Sequence, residues 1–187
     1  VCSSDLLSRN TYGIQNVSIG YQSLYQNTTG SYNVAVGFQA LYSNITGNSN
    51  IAMGYQAGYS TTTGIYNTFI GSYDGGGYPA GFYNTIGFNN TGVGAGAMKS
   101  NVSGNYNTAV GVGASGSNVN GIHNTGIGNG ALNVNLSSYM TAVGSGALAS
   151  NTTGTGEAVG YSALTNNTTG TNNRSEEHTS ELQSHSF

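Results

Sequence analysis

The chain is poor in proline, cysteine and charge: one Pro, one Cys, three basic and six acidic residues in 187. A single cysteine, Cys2, excludes an intramolecular disulfide and a cysteine-rich zinc site. Arg9, Lys99 and Arg174 are too few and too scattered to form the clustered cationic surface that nucleic acid requires, and the formal net charge is −3. No apolar run approaches the roughly 20 residues of a membrane span. Charged residues make up 5% of the chain, against about 25% in ordinary domains. What fills the space is glycine, 31 of 187, with Asn, Ser, Thr and Tyr. Such a composition is shared by low-complexity disordered chains, but its arrangement here is periodic.

The glycine that closes each Val-Gly, Ile-Gly or Met-Gly pair marks the period. These anchors are Gly20, Gly37, Gly54, Gly71, Gly94, Gly111, Gly128, Gly144 and Gly160, spaced by 17, 17, 17, 23, 17, 17, 16 and 16 residues. An apolar residue precedes each: Ile19, Val36, Met53, Ile70, Val93, Val110, Ile127, Val143 and Val159. Two before the anchor the residue is small, except at Phe69. Four before it Asn dominates, as at Asn33, Asn50, Asn67, Asn107 and Asn124. Ten after it a second glycine recurs, as at Gly30, Gly47, Gly64, Gly81 and Gly104, with Ser138 as the exception.

Each coil reads in three parts. A short β-branched segment such as Asn33-Val34-Ala35-Val36 predicts a strand with one face inward. A segment such as Phe38-Gln39-Ala40-Leu41-Tyr42 is compatible with a helical turn or a second strand. A polar turn ending in glycine closes the coil, as in Asn27-Thr28-Thr29-Gly30, where Gly reaches positive φ without a Cβ clash. One such coil cannot bury an apolar face, but stacked coils can. The expected fold is therefore all-β, a parallel β-solenoid or β-roll of about nine 16–17-residue coils, with short helical turns left open. At about 4.8 Å per coil it would make a rod of roughly 40 Å. Stacking also accounts for the missing charge, since like charges at that spacing repel by roughly 1 kcal/mol even in water. Asn instead donates and accepts along a ladder. Strands are expected near 16–19, 33–36, 50–53, 67–70, 107–110, 124–127 and 141–143, with the residues before the anchors buried in a row. The small residues Ala35, Ala52 and Ala109 would permit close approach of another backbone, favouring a trimer over an isolated chain.

The long step from Gly71 to Gly94 predicts a loop over 72–83 that leaves the stack. Its Tyr73, Asp74, Tyr78 and Phe82 are candidate contact residues, as are Tyr21 and Tyr55, which follow their anchors directly. The sequons at Asn16, Asn27, Asn44, Asn101, Asn135 and Asn151 largely repeat one turn slot, so turn chemistry explains them better than glycosylation. His123 stands where Tyr32, Tyr66, Tyr106 and Tyr139 stand in other coils, and reads as a variant aromatic. The threonines 91, 108, 125 and 141 form a column, but their sequence neighbours are Ala or Gly rather than the second Thr of an ice-binding face. No metal-ligating, cofactor-binding or catalytic set is assignable, so an enzyme is not expected.

The unit SYNVAVGFQALYSNITG, residues 31–47, resembles the head repeats of trimeric autotransporter adhesins, haemagglutinin-like repeats that also occur in phage tail-fibre-like proteins. The resemblance covers residues 10–173. It implies a left-handed parallel β-roll, a homotrimer, a location on the cell surface or a virion fibre, and attachment to a host surface protein, matrix or glycan; the alternative it allows is a purely structural shaft. The family repeat is near 14 residues, shorter than the unit here. Residues 1–6 and 174–187 share nothing with the repeat and resemble the conceptual translation of a sequencing adapter. The expected organisation is thus a non-native or disordered flank at 1–9, the solenoid at 10–173 and a non-native flank at 174–187.

Overall fold

A computed structural model of the chain describes residues 7–73 and 75–176. It is all-β, without helix among the described residues, and coils as a parallel β-solenoid. Its single sheet runs in chain order through β1 (Val17–Ile19), β2 (Val34–Val36), β3 (Ile51–Met53), β4 (Thr68–Ile70), β5 (Thr91–Val93), β6 (Thr108–Val110), β7 (Thr125–Ile127), β8 (Thr141–Val143), β9 (Gly156–Val159) and β10 (Asn173–Glu176). Every neighbouring pair is parallel and in register, as in Val34 opposite Ile51 and Thr108 opposite Thr125. β10 crosses the expected boundary at 173/174, and Arg174 pairs with Glu157 at 2.7 Å. An open solenoid end offers unpaired strand groups to whatever segment follows.

The strand burial reverses one expectation. The residues before the anchors are not buried: Ile19 is 58% exposed and Val110 37%. The inward residue is the small one, two before the anchor: Ala35, Ala52, Phe69, Ala109, Ala142 and Ala158 are fully buried. Strand alternation gives each three-residue strand one inward position, and the thin coil admits a bulky side chain there only where facing positions give way, as Gly58 and Gly81 do for Phe69. For the same reason Ala35, Ala52 and Ala109 face their own core and offer no approach to another chain.

The rest of the core comes from the middle segment, which is neither helix nor strand. In Phe38–Tyr42, Gln39 and Leu41 have φ of 53° and 49°, left-handed values that break any helix. Its amides bond alternately to the coils on either side, Gln39 N–H to Tyr21 C=O at 2.8 Å and Leu41 N–H to Ala57 C=O at 3.0 Å. This aims an alanine column (Ala40, Ala57, Ala80, Ala97) and a larger column (Leu24, Leu41, Met98, Leu132, Leu148) inward. The buried apolar residues fall into two clusters, one ending at Ala114 and one beginning at Ala131. Between them Ser115 takes a leucine's place.

Two asparagine ladders flank this core. In the first, four before the anchor, each side-chain carbonyl accepts the backbone N–H of its successor: Asn50 N–H to Asn33 Oδ1 at 2.9 Å, Asn67 N–H to Asn50 Oδ1 at 3.0 Å, Asn124 N–H to Asn107 Oδ1 at 2.9 Å. The amide nitrogens donate to turn glycines, as Asn33 Nδ2 to Gly47 C=O at 2.8 Å, or, at Asn124, to Ser137. The ladder ends where Met140 replaces Asn. The second ladder, seven after the anchor, runs side chain to side chain, as from Asn44 Nδ2 to Asn27 Oδ1 and from Asn101 Nδ2 to Asn84 Oδ1, both at 2.8 Å.

The anchor glycines stand in one column. At Gly111 φ is +132°, and a Cβ there would collide with the Gly128 carbonyl oxygen of the next coil. Gly71 and Gly94 are adjacent in this column, so the extra residues between them leave the stack and return to it. They return earlier than the sequence spacing implies. The Gly58 N–H already bonds Ala80 C=O at 3.0 Å, so 80–83 belong to the coil and the excursion is 72–79. Gly81 therefore lies in the leucine column, and the turn glycine of this coil is Gly87, which accepts from Asn67 Nδ2 at 2.7 Å. In the shortened coil the turn slot falls on Ser137 rather than Ser138, since Asn124 Nδ2 donates to Ser137 C=O at 2.8 Å.

Candidate functional site

Stacking turns every outward repeat position into a column, and the aromatic columns are the most distinctive. Tyr21, Phe38 and Tyr55 stack with centroids 5.4 and 5.1 Å apart and interplanar angles of 20° and 5°. All three remain substantially exposed. Four residues further along the coil, Tyr25, Tyr42, Tyr59 and Phe82 form a second ladder at 5.4, 5.1 and 5.4 Å. Ring stacking on this scale adds about 0.5–1.5 kcal/mol per pair beyond area burial. Burial, and then the neighbouring Tyr42, push the Tyr59 phenol above its ordinary value of 10.0. Between the aromatic columns Gln22, Gln39 and Gln56 form an amide ladder at 2.8 Å per step. The sequence marks the tyrosines; the continuity of the ladder through Phe38 and Phe82 depends on which residues share a column.

The excursion contributes less than its composition suggests. Tyr73 is exposed, whereas Pro79 is buried and Tyr78 half-buried. The Tyr78 ring packs edge-on to Phe82 at 5.8 Å, with the Lys99 ammonium 5.1 Å from its centroid. The hydrogen bond that Tyr83 donates to Tyr78, with burial behind it, raises the Tyr83 pKa. Phe82 is not a loop residue at all; it ends the second aromatic ladder. Asp74 lies outside the described residues. The five described candidate contacts therefore separate into the exposed ladder of Tyr21 and Tyr55, the excursion with Tyr73 and Tyr78, and Phe82 within the stack.

His123 stacks between Tyr106 and Tyr139 at 4.8 and 5.3 Å, its ring nearly parallel to both. Among the described residues no three His, Cys, Asp or Glu side chains approach closely enough to hold a metal. Among the described residues no helix is long and apolar enough to cross a membrane. The sequon residues Asn27, Asn44, Asn101, Asn135 and Asn151 are fully buried in the second asparagine ladder, which leaves their amides inaccessible to a transferase. That ladder is a structural device visible in the sequence only as a recurrent Asn three residues before the turn glycine.

The strand face supplies two further outward columns. One holds the residues before the anchors. The other holds Val17, Val34 and Ile51, then Thr68, Thr91, Thr108, Thr125 and Thr141. A comparison of the chain with protein families, with curated proteins and with solved structures finds no match to any of them.

Proposed function

We propose that this chain is a display rod, an extracellular adhesin head or fibre segment that presents side-chain columns to a host surface protein, matrix or glycan. The exposed Tyr21–Phe38–Tyr55 ladder carries the reading. Its rings cover one another's faces, so they offer edges and phenol hydroxyls in a line, suited to a hydroxyl-rich or peptide surface that repeats. Bound rings would lose little freedom, because the ladder already holds them. The reading is non-catalytic. The second reading is a structural shaft, and the closed core favours it: buried columns run the length of the stack, so the rod needs nothing else to be stiff.

Binding of the purified chain to immobilised matrix proteins and glycans separates the two. A display rod binds, and Tyr21→Ser with Tyr55→Ser abolishes binding while the circular dichroism spectrum is unchanged. A shaft binds nothing. Removing six residues from 72–79 should leave folding intact; if binding also survives, the excursion takes no part in adhesion. The homotrimer that the resemblance implies would be built from outward columns, since the inward alanines are unavailable. Sedimentation equilibrium at low micromolar concentration tests it, a stable monomer counting against a trimer.

A further inference from the structure

The outward face of β4–β8 is a two-column array. Thr68, Thr91, Thr108, Thr125 and Thr141 stand in register in one column, and Ile70, Val93, Val110, Ile127 and Val143 in the other. In sequence the positions next to these threonines are Phe, Gly or Ala. In the fold those residues face the core, so the lateral neighbour of each Thr is the Val or Ile two residues on. Parallel pairing fixes the pitch along the rod at about 4.8 Å, and strand geometry sets the columns about 6.6 Å apart.

Three properties characterise this face, which ends where Glu157 follows Thr141 in the threonine column. All ten side chains are β-branched, with stiff χ1 angles, so the array is ordered before anything binds. None is charged. Its hydroxyls are also free. Elsewhere Thr28, Thr62, Thr85 and Thr152 spend theirs on carbonyls one coil away, at 2.9 to 3.1 Å. The five face threonines make no side-chain hydrogen bond within the chain. The result is a stiff, regular two-column array of methyls and unpaired hydroxyls.

We infer that this face binds the surface of ice. A crystal plane of water is rigid and periodic and offers a donor or acceptor to each hydroxyl, while the methyls rest between lattice oxygens. A second copy of the chain fits less well. It would bury five hydroxyls in an apolar seam, and unpaired polar groups there are costly.

The test is ice recrystallisation and crystal shaping by the purified full chain. Wild type is expected to arrest recrystallisation and facet ice crystals. Thr108→Lys, at the centre of the array, and Thr125→Leu, which removes a hydroxyl without adding charge, should each lose both effects. Val112→Lys, on a different outward column, should retain them. Circular dichroism establishes that each variant is folded. A folded wild type without effect on ice overturns the inference, as does full activity in both face variants. A trimer that Thr108→Lys dissociates assigns the face to a second copy and also overturns it; a trimer insensitive to that change leaves it standing.

Discussion

The ring of Phe69 occupies the space that a side chain at Gly81 would need. Phe69 sits in the inward strand column, where other coils carry Ala, Gly or Ser, and Gly81 in the column where most others carry Leu or Met. Gly58, in the same column one coil earlier, yields room as well: a Cβ there would come within 3.1 Å of both Phe69 Cδ2 and Leu41 Cδ2. One large residue has thus exchanged places with two leucines across the core. Phe69→Ala should destabilise the chain by about 3–5 kcal/mol through the cavity it leaves. Gly81→Leu alone should destabilise by overpacking. The two together should cost less than the sum, since each removes the other's defect. Urea unfolding of the single and double variants measures this, and simple additivity would contradict it. The backbone permits the exchange, because Gly81 has φ of +62° and Leu132 in the same column +52°.

The second asparagine ladder is interrupted at Thr61, and again after Asn101, whose Oδ1 is buried without a partner. Thr61 stands between Asn44 and Asn84, and both Asn44 Oδ1 and Thr61 Oγ1 are buried without a partner. Thr61→Asn should restore a donor to Asn44 and an acceptor to Asn84. A gain of about 1 kcal/mol is expected from the recovered hydrogen bonds. A rise in melting temperature is the readout, and a fall would mean the site is too narrow for the amide.

Two glycine columns should respond oppositely. Gly111→Ala meets both a φ of +132° and the Gly128 carbonyl, and should cost at least about 2 kcal/mol. Gly130→Ala has φ of +65° and open space around the new Cβ. Its column carries Gln22, Gln39 and Gln56 at φ near 53° in other coils, so the change should lie within about 1 kcal/mol of neutral. Chemical denaturation of the pair decides it.

Stability should fall under alkali rather than acid. Burial raises the Tyr59 pKa above 10.0, and hydrogen bonding to Tyr78 raises that of Tyr83. Above pH 10 the unfolded chain ionises these phenols while the folded chain keeps them protonated. The folded state then binds more protons, and stability declines as pH rises through the folded values. Between Arg9 and Arg174 only Asp74, Lys99 and Glu157 carry charge, so little change is expected from pH 4 to 9. A pH series of melting temperatures checks both limbs; loss of structure near pH 5 would contradict the assignment.

The repeat itself was legible in the sequence because its determinants are local and recur. An anchor that demands positive φ must be Gly, a turn that closes on its own backbone draws Asn and Thr, and the spacing between them states the coil length. Parallel stacking followed, since no single coil can bury an apolar face. Which side of the strand faces inward was not legible. Val36 is the more hydrophobic and Ala35 the less, yet Ala35 is buried, because the width of the coil and not side-chain hydropathy decides what fits. The middle segment was open for a related reason: its left-handed residues are Gln39 and Leu41, whose conformation is held by hydrogen bonds to the coils on both sides. Gly81, Ser137 and Phe82 changed columns once the stack was closed, since counting from an anchor fails across an insertion or deletion and only hydrogen bonds between coils restore the register. The threonine face is the clearest case. Its chemistry is written in the sequence, but its lateral neighbours are chosen by strand alternation, which places Val110 and not Ala109 beside Thr108 on the open surface.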